Sequence, residues 1–583
     1  MLFYSIREHP LRGDPHWLDF QLLEKWSLKL NRPLRLRSPH FLKRSIIFTN
    51  LRYIMATHQV LIAGQWRDSD ATQTFQASDP RAATLIPEDY PVSSWAECEA
   101  ALDAAGAAYS QLRDMPGEKI AAFLEAYATR IDARSEEIRT TAAQETALPA
   151  ETRLVGELAR TTGQLRAAAA ATRSSAWQMP IIDSANNIRS CFGPLGPVAV
   201  FGPNNFPLAF GSISGGDFAA AIAAGNPVIG KANSMHPGTT RLLAEEAQLA
   251  AEETGMPAGT VQLIYRTSHA DGEKLARDPR LAAIGYTGSR NAGLVLKQAA
   301  DSVGKPIYLE LSSVNPIVIL PGALKERGNE IASELTGSCL MGSGQFCTNP
   351  GLIIVQNDDD GKQFIETVAT QFSEQPVGTL FSLSGQDGLQ SAIDTLTSAG
   401  ATLVCGGTTG GGEGYSFSNT VLKVEGQQFL SHAEQLQTEA FGGSTLIVVS
   451  DSIEQTKAII EALEGNLTGC IYSANDSTDD GHYDQIAPEL RQRVGRLLND
   501  QMPTGVAVSA AMNHGGPFPA TGHPGFTAVG MPGSITRFAM LQCFDHVRAH
   551  RLPAILQDTN PNQAWRLIDG QWSQDDVVVA PAE

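Results

Sequence analysis

A single cysteine, Cys347, lies in the glycine-rich segment GSGQFCTNPG (residues 342–351), between two apolar runs. A thiolate in such a segment can add to the carbon of a small electrophile. Three distant segments hold groups that this addition would use. GPNNFP carries Asn205, whose amide can donate to a developing oxyanion, and YLELSSVNP carries Glu310 at the end of an apolar run. GYTGSRNAG, around Ser289, reads as a turn opening a helix, with backbone N–H groups and a hydroxyl for a phosphate. Each has a plainer reading alone: a small buried thiol, a turn before Phe-Pro, a salt-bridged strand-end carboxylate. Together, a nucleophile, an amide donor, a dinucleotide-binding turn and a carboxylate base describe oxidation of an aldehyde through a thioester. A carboxylate beside an apolar edge is expected to have a raised pKa, which would suit Glu310 to activate water.

These motifs occur in the order found in aldehyde dehydrogenases, and the chain resembles that family from about residue 60 to about residue 572. GQFCTNPG, LELSSVNP, RTTGQLR and HGGPFPAT together most resemble its α-ketoglutarate semialdehyde (2,5-dioxovalerate) subgroup. The resemblance implies Cys347 as nucleophile, Asn205 with the Cys347 N–H as oxyanion hole, and Glu310 as the base that hydrolyses the thioester. It implies a cofactor site in which Lys231 reaches the adenosine ribose and Ser289, in the turn with Thr287 and Gly288, meets the pyrophosphate. Glu439, in TEAFGG, would hold the nicotinamide ribose with Phe441 beside it.

Ser234 stands where NAD-preferring members commonly have a glutamate that would repel a 2′-phosphate. With Lys231 and Arg266 as phosphate partners, NADP is the expected acceptor and NAD the alternative. Arg266 reads equally as a solvated loop arginine. The family's entry tunnel would be lined by Arg160, Gln164, Phe206, Phe210, Phe346 and Thr348. Arg160 and Gln164 would meet the far carboxylate of a semialdehyde, unless Arg160 pairs with Glu157. HGGPFPAT (residues 514–521) would supply a loop closing the pocket. Its histidine, His514, has no cysteine or carboxylate at ligand spacing in the sequence, so no metal is expected.

Asn204, the Ser312–Ser313 pair and Ser234 depart from the broader family pattern. They fit the semialdehyde subgroup and also an NADP-dependent fatty aldehyde subgroup, which would need an apolar tunnel with Arg160 turned away. A catalytically silent structural or binding protein on this fold needs none of Cys347, Glu310 and Asn205. CoA-acylating relatives often lack the base that Glu310 matches.

The elements that must position these residues read as α/β. Residues 95–139 have apolar spacing typical of surface helices. VAVF (198–201), NPVIGK (226–231), VQLIY (261–265) and AAIGYTG (282–288) alternate with helical stretches, implying a mostly parallel sheet with ligands beyond its strand ends. NPIVIL, GLIIVQ, STLIVVS and LTGCIYS repeat the pattern between about residues 315 and 505. The expected organisation is a Rossmann-like dinucleotide-binding domain (55–178 and 199–312), an α/β catalytic domain (313–534) and a C-terminal tail (551–583). The resemblance adds a β oligomerisation arm (179–198 and 535–550) whose strands pair between subunits, and hence a homodimer or homotetramer. Residues 1–54 hold ten basic against four acidic residues, and read as an extension outside the fold or an arginine-rich targeting peptide.

The partner that the resemblance implies is a small-molecule aldehyde, and composition argues against other classes. A formal charge of -19 argues against nucleic acid. Seven scattered cysteines without a CxxC pair suggest a reducing, cytoplasmic setting. No run approaches the roughly 18 to 20 apolar residues of a membrane span.

Overall fold

Parallel strands covered on both faces read as continuous apolar runs, and the runs noted above become such strands. The computed structural model describes residues 57–578; the expectation for residues 1–54 lies outside them. Val198–Phe201 is the middle of the five parallel strands of a seven-stranded sheet, flanked by Val228–Lys231 and Ala283–Thr287, with Val261–Ile264 and Ile307–Glu310 beyond them. Val60–Ile62 and Gln65–Arg67 add an antiparallel edge. Register aligns the carboxyl ends: Phe201 lies beside both Lys231 and Tyr286, and Thr287 beside Glu310. The turn expected to hold a phosphate and the carboxylate expected to act as base therefore sit on adjacent strand ends.

The helices of residues 95–139 do more than cover the surface. Trp95–Leu112 starts with a capping box between Ser94 and Glu97, which satisfies two otherwise orphaned N–H groups. Its Ala101, Leu102, Ala105 and Ala108 are buried, as are Phe123, Leu124 and Tyr127 of Gly117–Ala133. The alanines let these helices lie close to the sheet and to the long helix Arg153–Ser174.

A second seven-stranded sheet runs in the order Thr402–Cys405, Thr420–Glu425, Ser444–Ser450, Leu352–Gln356, Ile317–Ile319, Asn466–Tyr472, Val494–Asn499. All its pairs are parallel except the first. Apolar cores lie on both of its faces.

The third sheet refines two expectations. Ala539–Asp545 pairs antiparallel with Ile188–Pro194 within the chain, so the two arm segments form one sheet in each copy. The segment expected as a tail is built into the same sheet: Arg566–Ile568 pairs with Ile181–Asp183, and Gln571–Ser573 with Arg566–Ile568. Ile182, Cys191, Leu552, Leu556 and Val577 form its buried apolar cluster, which explains why the segment packs. Arg566, wholly buried, donates to the Gln557 and Asp575 carbonyls. Among the described residues, no helix is long and apolar enough to cross a membrane.

Candidate active site

The segment carrying Cys347 follows the helix Pro321–Leu340 and a 3-10 turn, Met341–Gly344, and runs into the strand Leu352–Gln356. The turn requires glycine at Gly344, which has φ +71° and where a Cβ would lie 2.0 Å from the Gly442 carbonyl oxygen. Buried Asn315 pins the loop by donating to the carbonyls of Cys347 and Asn349, each at 2.9 Å. Thr348 is tied by its hydroxyl to the Thr504 carbonyl at 3.0 Å, so it holds the loop as well as lining the cavity. Asn205 approaches from the loop after Val198–Phe201; its Nδ2 donates to the Gln345 carbonyl at 3.0 Å and keeps a second hydrogen.

Two groups far apart in sequence, His514 and Glu310, converge on the thiol. Nε2 of His514 lies 2.8 Å from Glu310 Oε1 and 3.6 Å from Cys347 Sγ. The three donor atoms all fall within 4.8 Å of one another. His514 has no cysteine or carboxylate at ligand spacing in the sequence, yet the fold supplies both: its partners are 167 and 204 positions away, beyond the reach of local spacing. HGGPFPAT is not a free lid. Leu311 N–H donates to the Ala520 carbonyl and Gly522 N–H to that of Leu309, fastening the loop along the strand that bears Glu310.

Electrostatics correct a second expectation. Burial alone would raise the Glu310 carboxyl, but the charge and hydrogen bond of His514, with Cys347 and Arg537 adding, bring it below its ordinary value. Among the described residues, Oε2 of Glu310 is buried without a hydrogen-bond partner. For Cys347, burial and then the Glu310 charge push the thiol well above its ordinary value, opposed by Arg160.

Beside Cys347 opens a cavity of about 390 Å³. Phe206 packs edge-on against Phe210 and Phe346, with centroids 5.3 and 5.2 Å apart, and all three line it. Arg160 enters from the helix above, its guanidinium 5.2 Å from the Phe210 ring. It donates to the Val506 carbonyl at 3.0 Å, while Nη2 is buried with no hydrogen-bond partner. Glu157 instead pairs with Arg153 at 2.7 Å and accepts from the Leu208 and Ala209 N–H groups. Arg153, which the sequence did not single out, lies 4.3 Å over Phe206 and also lines the cavity. Gln164 does not line it: the side chain is buried, donating to Ala209 O and accepting from Arg160 Nε.

The residues expected to hold the cofactor lie at these strand ends and in the loops beyond them. Gly288 N–H donates to the Glu310 carbonyl, and Ser289 caps the helix Arg290–Asp301 without a side-chain hydrogen bond. Burial, with Arg266 nearby, lowers the Lys231 ammonium to about 8. Neither cation forms an ion pair among the described residues, and Ser234 sits in the same loop, three residues beyond Lys231. Glu439 accepts from Ser313 N–H at 3.3 Å, and burial raises its carboxyl to about 7 against the Ser312 hydroxyl and Ser313 N–H. Phe441 lines a cavity with Glu439 and Phe346. Unpaired cations and open N–H groups fit a nucleotide anion.

Comparison with known proteins agrees with this chemistry. Residues 66–516 match the model described as Aldehyde dehydrogenase family. The chain is 38% identical over 511 residues to alpha-ketoglutaric semialdehyde dehydrogenase 2 of Azospirillum brasilense, covering 85% of this chain and 96% of that protein. It is 34% identical over 522 residues to alpha-ketoglutaric semialdehyde dehydrogenase of Acinetobacter baylyi, covering 86% and 98%. Lactaldehyde dehydrogenase from Escherichia coli shares the fold, with a TM-score of 0.73 at 20% identity over 84% of this chain and 99% of that one.

Proposed function

The chain belongs to the aldehyde dehydrogenase family, oxidising aldehydes with NAD(P), and from that premise we propose that it is an NADP-dependent dehydrogenase of α-ketoglutarate semialdehyde, working in the cytoplasm. The observation that carries the substrate is Arg160: a guanidinium with no carboxylate of its own, one nitrogen unspent, in the aromatic-walled cavity that contains Cys347. A distal carboxylate or keto oxygen would complete its hydrogen bonds. A long alkyl chain would leave it unsatisfied.

Cys347 attacks the aldehyde carbon, and the resulting alkoxide is held by the second Asn205 amide hydrogen and the Cys347 N–H. Bound beside the adduct, the nicotinamide supplies the hydride acceptor. Glu310 then takes a proton from water through its unpartnered Oε2, and the hydroxide releases 2-oxoglutarate from the thioester. Lys231 and Arg266 would meet a 2′-phosphate that Ser234 does not repel, which supports NADP over NAD.

The test is reduced-cofactor formation with 2,5-dioxopentanoate and dodecanal, each with NADP and NAD. The dioxo acid should win by roughly 100-fold or more in kcat/KM, and Arg160→Met should erase most of that margin, mainly through KM. Ser234→Glu should turn the preference toward NAD. Preference for dodecanal in the unmodified enzyme would move it to the fatty aldehyde reading.

A further inference from the structure

We propose that His514 is a catalytic residue that takes the thiol proton of Cys347 during acylation and returns it to the sulfur during deacylation, leaving Glu310 for the water. This rests on Cys347 being the nucleophile. The geometry carries it: Nε2 lies 3.6 Å from the reacting sulfur and 2.8 Å from a carboxylate oxygen. A separation of 2.8 Å between Nε2 and Oε1 calls for a hydrogen between them, so the observed contact is that of the imidazolium state that follows proton transfer. Before transfer the ring carries its hydrogen on Nδ1 and Nε2 is the acceptor; the proton arriving from Sγ then creates the Nε2–H to Oε1 contact. The imidazolium is therefore formed already paired with a carboxylate. The ring is held for this task by the fastened loop and by Phe210, whose centroid is 5.7 Å away. Charged neighbours from other elements also bear on the trio: Arg160 and Glu439 act on Cys347, and Arg537 on Glu310.

The cycle balances. In acylation the S–H bond breaks, its proton moves to Nε2, and the S–C bond forms. The aldehyde carbon then loses hydride, so the aldehyde is oxidised to a thioester as the nicotinamide cofactor is reduced. In deacylation water loses a proton to Glu310 and its hydroxide joins the acyl carbon. The C–S bond breaks, and the imidazolium protonates the leaving sulfur. Glu310 and the product acid each release one proton to solvent.

The test reads the thiol directly, with neither aldehyde nor cofactor present. Iodoacetamide alkylation is followed from pH 6 to 10, with mass spectrometry identifying the modified cysteine. His514→Gln should slow modification of Cys347 at pH 7 by about 100-fold, recovering at high pH where solvent removes the proton. Glu310→Gln should stay within about tenfold of the unmodified enzyme, since the imidazole is still present. In His514→Ala, added imidazole should restore part of the rate. Loss of reactivity in Glu310→Gln with His514→Gln unaffected would overturn the proposal and make Glu310 the thiol base. If His514→Gln does not fold, the Glu310→Gln rate decides by the same criterion. Label entering other cysteines, with Cys347 unmodified, would instead sink the nucleophile reading beneath it.

Discussion

Cys347 is placed where both burial and the Glu310 charge oppose ionisation, so its reactivity must come from neighbours able to accept a proton or an oxyanion. In the proposed cycle Cys347→Ala therefore abolishes turnover. Glu310→Gln separates the half-reactions: rapid mixing should show a burst of reduced cofactor followed by slow deacylation, and a folded variant without a burst would remove Glu310 from thioester hydrolysis. Asn205 spends one amide hydrogen on Gln345, leaving one for the oxyanion. Asn205→Ala should lower kcat by about 100- to 1000-fold with little change in KM, checked by steady-state kinetics. Cys347, Glu310 and Asn205 were legible as candidates because each sits in a distinctive local string. His514 was visible in HGGPFPAT but its meaning was not, since its partners come from two other segments. The sign of the Glu310 shift was misread for the same reason: burial can be guessed from an apolar run, whereas a counter-charge from a distant loop cannot. Gln164 shows the converse, a polar residue that matched a lining position yet is spent on Ala209 and Arg160.

Strand register is what makes separate residues into a site. Thr287 beside Glu310 and Lys231 beside Phe201 bring the turn proposed for the phosphate, the proposed base and the lysine proposed for the ribose to one edge. Runs such as VAVF and LIIVQ were readable as strands because burial on both faces leaves no polar alternation. Thr420–Glu425 and Val494–Asn499 escaped notice because charged Lys423, Glu425 and Arg496 interrupt the apolar pattern. Helix ends raise a question of their own. The helix Pro237–Thr254 lacks a side-chain cap from its own N-cap residue, and Glu145, from another helix, accepts from Gly238 N–H, Thr239 N–H and the Thr239 hydroxyl. Burial raises that carboxyl from an ordinary value of 4.5 to about 7, despite these hydrogen bonds. Between those two values the folded state keeps a proton that the unfolded state has lost. The contribution of Glu145 to stability is therefore complete below pH 4.5, falls as pH rises and levels off above about 7. Unfolding curves from pH 5 to 8 should show this decline in the unmodified protein and a shallower one in Glu145→Gln. An unchanged slope in the variant would reassign the titration to another group.

At the scale of the whole molecule, the five-stranded sheet is the part whose chemistry is unfinished. Among the described residues, its edge strand Ala539–Asp545 has no strand partner on one side of its backbone, and Met540 and Leu541 stand 44% and 61% exposed. Ile181, Trp565 and Trp572 add further exposed apolar surface on the same sheet and its connecting segment. An open edge bearing large apolar side chains invites pairing with another chain, and soluble proteins usually blunt or cover such edges. A second copy of this chain, related by a two-fold axis, would extend the sheet across its edge and cover Leu541 at one stroke. We therefore expect a dimer or a dimer of dimers in solution, with this edge at the contact. Leu541→Lys places a charge where the partner would lie while leaving the buried cluster of Ile182, Cys191, Leu552, Leu556 and Val577 intact. Light scattering should then report a smaller particle for the variant, at an unchanged far-ultraviolet circular dichroism spectrum. A monomer in the unmodified protein, or an assembly indifferent to Leu541→Lys and to a second charge at Met540, would remove the edge from the interface. The alkylation of Cys347 should survive dissociation, because Glu310, His514 and Asn205 all come from the same chain as the thiol.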